Sequence, residues 1–215
     1  MDFGTINHEL EQYLNQHTSS LGTVLDELTR HTYLTTYNPR MISGPIQGMF
    51  LQLICRMIRP KRILEIGTFT GFTTICMANA IEEDCTIDTI EINDELQETI
   101  ETFLEKAQVS YKVNLIIGDA LTEIPHLPDL YDLIYIDGEK EEYPGYLKLC
   151  VEKLNINGFL IADNVLWGGK VLSYEFIDSK TNAIRIFNKM IQEDETLENV
   201  LLSIRDGMMI VRKKK

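Results

Sequence analysis

The chain has 215 residues, 44% hydrophobic and 25% charged, a size and balance that suit one soluble α/β domain with a full core. A formal net charge of −13 argues against nonspecific binding to nucleic acid or an anionic membrane, since both need basic patches. No apolar run approaches the roughly 18 residues that span a bilayer, and the opening MDFGTINHEL lacks the basic-then-apolar order of a secretory signal, so a cytoplasmic protein is expected. Cys55, Cys76, Cys85 and Cys150 form no CxxC pair and read as reduced thiols. His8, His17, His31 and His126 are ungrouped, which disfavours a histidine metal site or nucleophile.

Residues 5–36 read as helices, the second of them carrying Leu21, Val24, Leu25 and Leu28 at helical spacing with Ser20 as its cap. A break at Tyr37-Asn38-Pro39 follows. A further helix opens near Ser43, Gly44 and Pro45, presents a broad apolar face, and ends at Pro60. Arg62–Ile66 is short, apolar and β-branched, as a parallel strand should be. It runs through Gly67 and Gly71 into a helix over 72–82. Such a turn leaves backbone N–H groups free for a nucleotide-like ligand. The spacing Glu65-x-Gly67-x-x-x-Gly71 is neither the dinucleotide fingerprint GxGxxG nor a P-loop, so neither NAD nor ATP is the expected ligand.

Strands then alternate with helices: strand 86–90, helix 95–107, strand 113–118, strand 130–136, helix 143–154, a turn at Asn157-Gly158, strand 159–162 and helix 182–194. The runs 200–204 and 208–211 flank Asp206-Gly207, a strong hairpin signal. The pattern predicts one domain over 1–215. Residues 1–60 would be helices covering the site, and 61–215 a mostly parallel core with an antiparallel edge.

Ligands of open α/β sheets lie beyond the carboxyl ends of the strands. Glu91, Asp119, Asp137 and Asp163-Asn164 stand at successive strand ends, more acid than turn chemistry requires. Glu91 suits ribose hydroxyls, and Asp119 with Ala120 suits an adenine edge. Asp137, Asp163 and Asn164 are hard oxygen donors of the kind that hold Mg²⁺ or Ca²⁺. Lys140 follows at a spacing that places an amine near such an ion. Burial and a nearby cation would lower its pKa and make it a candidate base.

Taken together, ILEIGTFTGFTT, IEIN, IIGDA, YDLIYIDGEKEEY and FLIADNVLWGGKV resemble the cation-dependent O-methyltransferases of the class I S-adenosylmethionine fold. The likeness is to the catechol and caffeoyl-CoA O-methyltransferase family, particularly its small bacterial members. It extends over about residues 40–213, more weakly at TNAIRIFNKMI and IRDGMMIVRK. The resemblance implies a Rossmann-like α/β fold with a mostly parallel seven-stranded sheet and an antiparallel C-terminal hairpin. It implies that Glu65, Gly67, Thr68, Gly71 and Thr73 cradle the methionine part of the donor, Glu91 the ribose, and Asp119 with Ala120 the adenine. Asp137, Asp163 and Asn164 would ligate Mg²⁺ or another divalent cation such as Mn²⁺ or Ca²⁺. Lys140 would be the base or a charge stabiliser. Met41, Phe69 and Trp167 would lie near the methyl donor or the acceptor ring.

The acceptor implied is a small phenolic molecule, and a homodimer is implied as well. Where relatives read Asp-Ala-Asp-Lys, this chain has Asp137-Gly138-Glu139-Lys140, which keeps the ligand and the amine. Two other readings start from the same residues. One is a methyltransferase acting on another nucleophile, and the other a non-catalytic module that binds a nucleoside ligand.

Overall fold

A computed structural model describes residues 8–128 and 130–215. The helical expectation for residues 5–7 lies outside them. Seven strands form one sheet in the order β3-β2-β1-β4-β5-β7-β6. They are β1 (Arg62–Ile66), β2 (Thr86–Glu91), β3 (Val113–Ile117), β4 (Tyr131–Ile136), β5 (Leu154–Asp163), β6 (Leu197–Leu202) and β7 (Met208–Lys213). The pairs β1–β4, β2–β3 and β4–β5 are parallel, whereas β7 lies antiparallel to both β5 and β6. The sequence's mostly parallel sheet and terminal hairpin are therefore both present.

The chain's contacts gather in two compact units. The first, residues 62–67 and 119–215, holds β1, α6 (Ala120–Glu123), β4, α7 (Tyr143–Lys153), β5, α8 (Ser179–Glu193) and the hairpin. The second, residues 8–61 and 68–118, holds α1 (His8–Gln16), α2 (Thr23–Thr35), α3 (Pro45–Ile58), α4 (Phe72–Ala78), β2, α5 (Gln97–Lys106) and β3.

In the first unit Ile63, Leu64, Leu133, Ile134, Leu160 and Ile161 are fully buried, which is why these strands read as nearly continuous apolar runs. In the second, α2 buries Leu25, Leu28 and Thr32, and the Thr32 hydroxyl donates to Thr70 Oγ1 at 3.0 Å. That bond ties α2 to the glycine turn. Gly48 lets α3 approach closely, because a Cβ there would stand 2.7 Å from Cys76 Sγ.

Two local expectations change. Gly22, not Ser20, is the N-cap of α2, and the Ser20 hydroxyl instead accepts from Gly22 N–H. Asn157-Gly158 is not a turn between elements: it lies within β5, where Asn157 takes φ 66° and the register against β4 shifts. An Asn tolerates this left-handed geometry, so a turn signal and a strand irregularity look alike in sequence. Pro39–Ile58 has the length and composition of a membrane span, at 20 residues and mean hydropathy 1.2. It breaks after the 3₁₀ turn Pro39–Met41, leaving α3 with 14 residues. At about 21 Å, that helix falls short of the roughly 30 Å hydrocarbon layer.

Candidate active site

The turn after β1 is built on left-handed backbone: Gly67 at φ 93°, Phe69 at φ 50° and Gly71 at φ 90°. In the first unit the turn begins hard against the end of β4. Asp137 N–H donates to Ile66 O at 2.8 Å, and a Cβ on Gly67 would lie 2.3 Å from Asp137 O. Gly67→Ala is therefore expected to cost about 2–6 kcal/mol, from backbone strain plus overpacking, read as a fall in thermal midpoint.

In the second unit the turn is tied to the end of β2. Glu91 Oε2 accepts from Phe69 N–H at 2.7 Å, and Glu91 Oε1 accepts from Asn93 N–H at 2.9 Å. Burial raises the Glu91 pKa, and these backbone donors pull the other way. A carboxylate has about four lone-pair positions, so acceptor capacity remains for a ligand. Thr68 is buried with its hydroxyl 2.6 Å from Thr89 Oγ1, and Thr73 is buried on the first turn of α4. Gly71, in the left-handed region, is the N-cap of α4 and makes no side-chain cap bond.

The remaining expected residues fall in several places. Glu65 is fully buried within β1, opposite Tyr135. Asp119 follows β3 and caps α6, with Oδ1 accepting from Leu121 N–H at 3.0 Å, and Ala120 is buried beside it. Met41, on the 3₁₀ turn before α3, is 61% exposed.

The groups of chemical interest in the first unit converge at the ends of β4 and β5. Ile136 pairs with Ala162, so Asp137 and Asp163 each stand one residue past a paired position on neighbouring strands. Asp163 is buried, its Oδ1 accepts from Asn164 N–H at 2.8 Å, and Asn164 takes φ 59°. Burial pushes the Asp137 pKa up to about 6; Lys140 opposes the shift and the Asp163 carboxylate adds to it. Lys140 is buried, and its ammonium donates to Asp137 Oδ1 at 2.9 Å, Gly138 O at 3.1 Å and Tyr143 Oη at 2.9 Å.

The direction of the Lys140 shift differs from the sequence expectation. Burial alone would lower its pKa, but the Tyr143 hydroxyl and the Asp137 carboxylate outweigh it and hold the pKa above the usual lysine value. All three N–H donors have acceptors, so Lys140 is set as a cation.

Tyr143 was not singled out from sequence. It is fully buried at the start of α7, takes the Lys140 proton donor and gives its own hydroxyl to Asp163 O at 2.9 Å. It thus fastens the amine to the backbone of the second carboxylate. The available signal was the spacing Lys140-x-x-Tyr143, which places both on one face of the turn entering α7.

Among the described residues no group of three or more His, Cys, Asp or Glu side chains is placed to hold a metal ion. The expected set offers two carboxylates and an amide, all hard oxygen donors. Asp163 adds to the upward shift at Asp137, a repulsion that a divalent cation would relieve. The residues therefore fit such an ion, with water or substrate oxygens completing the shell.

Trp167 follows on a segment whose backbone takes positive φ at Trp167, Gly168 and Gly169. Its indole N–H is buried without a hydrogen-bond partner among the described residues.

Comparison with known proteins agrees with this geometry. A family model described as O-methyltransferase matches residues 15–214. The tapetum-specific methyltransferase 1 of Arabidopsis thaliana is 28% identical, over 99% of this chain and 97% of its own. A probable caffeoyl-CoA O-methyltransferase of Dictyostelium discoideum is 25% identical, over 97% of this chain and 91% of its own. The crystal structure of an S-adenosylhomocysteine-bound methyltransferase from Podospora anserina superposes with a TM-score of 0.89 at 25% identity, covering 98% of both chains. A match over nearly the whole chain, on a sheet of this order with an acid at the end of β2 beside the glycine turn, places the protein in the O-methyltransferase family, as a class I S-adenosylmethionine-dependent enzyme of the catechol and caffeoyl-CoA type.

Proposed function

We propose that the protein moves the methyl group of S-adenosylmethionine to one hydroxyl of a catechol-like small molecule, with a divalent cation held by Asp137, Asp163 and Asn164. The carrying observation is the set at the ends of β4 and β5: a buried carboxylate at Asp163, a half-buried one at Asp137, the Asn164 amide, and a buried ammonium at Lys140 whose three donors all have acceptors.

Donor binding falls to the glycine turn and the neighbouring strand ends. Glu65, Gly67, Thr68, Gly71 and Thr73 would take the methionine part. Glu91 would accept from the ribose hydroxyls while its backbone bonds keep the turn in shape. Asp119 and Ala120 would meet the adenine, and Phe69 and Met41 would flank the donor.

A bound divalent cation would supply Lewis acidity to the acceptor's adjacent oxygens and lower the pKa of the reacting hydroxyl. Lys140 stays protonated and offers its charge to the phenolate oxygen, so it steadies the nucleophile rather than taking its proton. Asp137 anchors Lys140, and Tyr143 fixes it from the other side. Trp167 would pack against the acceptor ring. The reacting hydroxyl gives its proton to water; the phenolate then attacks the methyl carbon in line with the departing sulfur, so that the O–CH3 bond forms as the S–CH3 bond breaks and S-adenosylhomocysteine leaves. Holding that alignment can contribute about 7–11 kcal/mol. Four cysteines, all free and buried, suit a reducing compartment such as the cytoplasm.

Purified protein incubated with S-adenosylmethionine should convert catechol to its monomethyl ether and leave phenol, which has a single hydroxyl, essentially untouched. Equal rates on the two would sink the requirement for adjacent oxygens.

A further inference from the structure

The segment from Trp167 runs through a kinked 3₁₀ stretch to Leu172 and then irregular chain to Asp178, and one side chain holds most of it. Arg185 projects from α8, whose start is fixed by Asp178 accepting from Thr181 N–H at 3.0 Å. Its guanidinium donates from Nε to Val171 O at 3.2 Å. Nη1 donates to Phe176 O at 2.7 Å and to Asn182 Oδ1 at 3.2 Å. Nη2 donates to Lys170 O at 2.9 Å and to Ser173 O. Those five bonds match the five N–H donors of a guanidinium. Four of the acceptors are backbone carbonyls of one loop, and none of the five is a carboxylate.

The foot of the same loop is pinned separately. Val165 N–H donates to Gly207 O at 3.1 Å, Leu166 N–H to Asp206 O at 2.9 Å, and Gly168 N–H to Asp206 Oδ1 at 2.5 Å. Asn188, also on α8, donates to Val165 O at 2.9 Å. The hairpin turn thus fixes where the loop begins, and Arg185 fixes the path of its outer half. That outer half carries little packing: Tyr174 is 93% exposed and Phe176 42%. Carbonyls at 170, 171, 173 and 176 that converge on one cation will not stay converged without it.

We propose that Arg185 is a positioning residue that sets the Lys170–Phe176 wall beside Trp167 and thereby governs acceptor binding, not donor binding or the charge chemistry at Lys140. This rests on the catechol reading above. A lysine cannot replace it, because an ammonium offers three donors from one point where the loop needs a planar fork.

The test uses the full chain with Arg185→Ala and Arg185→Lys. The catechol KM is expected to rise about ten-fold or more in the alanine variant. Its kcat should hold within about three-fold, and its S-adenosylmethionine affinity should match wild type, which also reports a folded donor site. The lysine variant, which keeps the charge and the stem, should recover only part of the KM. A second readout does not need turnover: chymotrypsin cleavage after Tyr174 and Phe176 should be faster in both variants than in wild type. Unchanged cleavage overturns the clasp, and faster cleavage with an unchanged catechol KM overturns its link to the acceptor. Wild-type protein that never methylates catechol would fail the functional reading, while the cleavage rates would still judge the clasp.

Discussion

Lys140→Met is expected to lower kcat for catechol methylation by about 100- to 1000-fold while leaving S-adenosylmethionine affinity unchanged, the usual effect of removing one preorganised donor to a developing or reacting oxyanion. The effect follows from where the ammonium sits. Its three donors go to Asp137, Gly138 and Tyr143, which keeps it charged and fixes it beside the first carboxylate. Methionine keeps the length and loses the charge. Because Lys140 opposes the rise in the Asp137 pKa, its removal also leaves that carboxylate buried near Asp163 with less compensation. Breaking a buried pair from one side typically costs about 3–5 kcal/mol, so the metal-free variant should melt at a lower temperature and regain part of the loss on adding Mg²⁺. Arginine should not rescue turnover, since its fork does not fit a site shaped for a point charge with a hydroxyl on one side. Stopped-turnover assays and a binding titration separate the two effects. Unchanged kcat would remove Lys140 from the chemistry.

The second large effect is at Glu91. Glu91→Ala is expected to weaken S-adenosylmethionine binding by about 100-fold or more, measured by calorimetric titration. Two backbone donors, Phe69 N–H and Asn93 N–H, lose their acceptor together. Hydrogen bonds to a charged group are worth about 1.5–3 kcal/mol each, so the glycine turn loosens as the proposed ribose contact is removed. Glu91→Gln keeps one acceptor oxygen and should fall between alanine and wild type. A donor affinity unaffected by either change would mean that the ribose is held elsewhere.

The core of this fold was legible because its central strands, β1 and β4, are buried on both faces. Runs such as Leu133–Ile136 carry no alternation to misread, and each ends at a residue whose type reports its position. The site's acids were legible for the same reason, since Glu91, Asp137 and Asp163 terminate apolar runs. What sequence does not carry is the three-dimensional balance of opposing forces. Burial lowers a lysine pKa and a neighbouring carboxylate raises it; only the distances from Lys140 to Asp137 and Tyr143 decide the sign. Arg185 was hidden differently. Its partners are backbone carbonyls, and any residue type can supply those, so no side-chain pattern announces them. Asn157-Gly158 shows a third limit, because one left-handed residue serves a turn or a strand irregularity equally well.

On the proposed reading, methyl transfer needs a divalent cation held by the ends of β4 and β5. That requirement is tested most directly by stripping the purified protein with EDTA, dialysing it into metal-free buffer, and measuring catechol methylation before and after adding Mg²⁺. Turnover is expected to fall by about 100-fold or more and to return on adding Mg²⁺, with Asp163→Asn blunting the return. Undiminished methylation by the stripped protein would contradict the account.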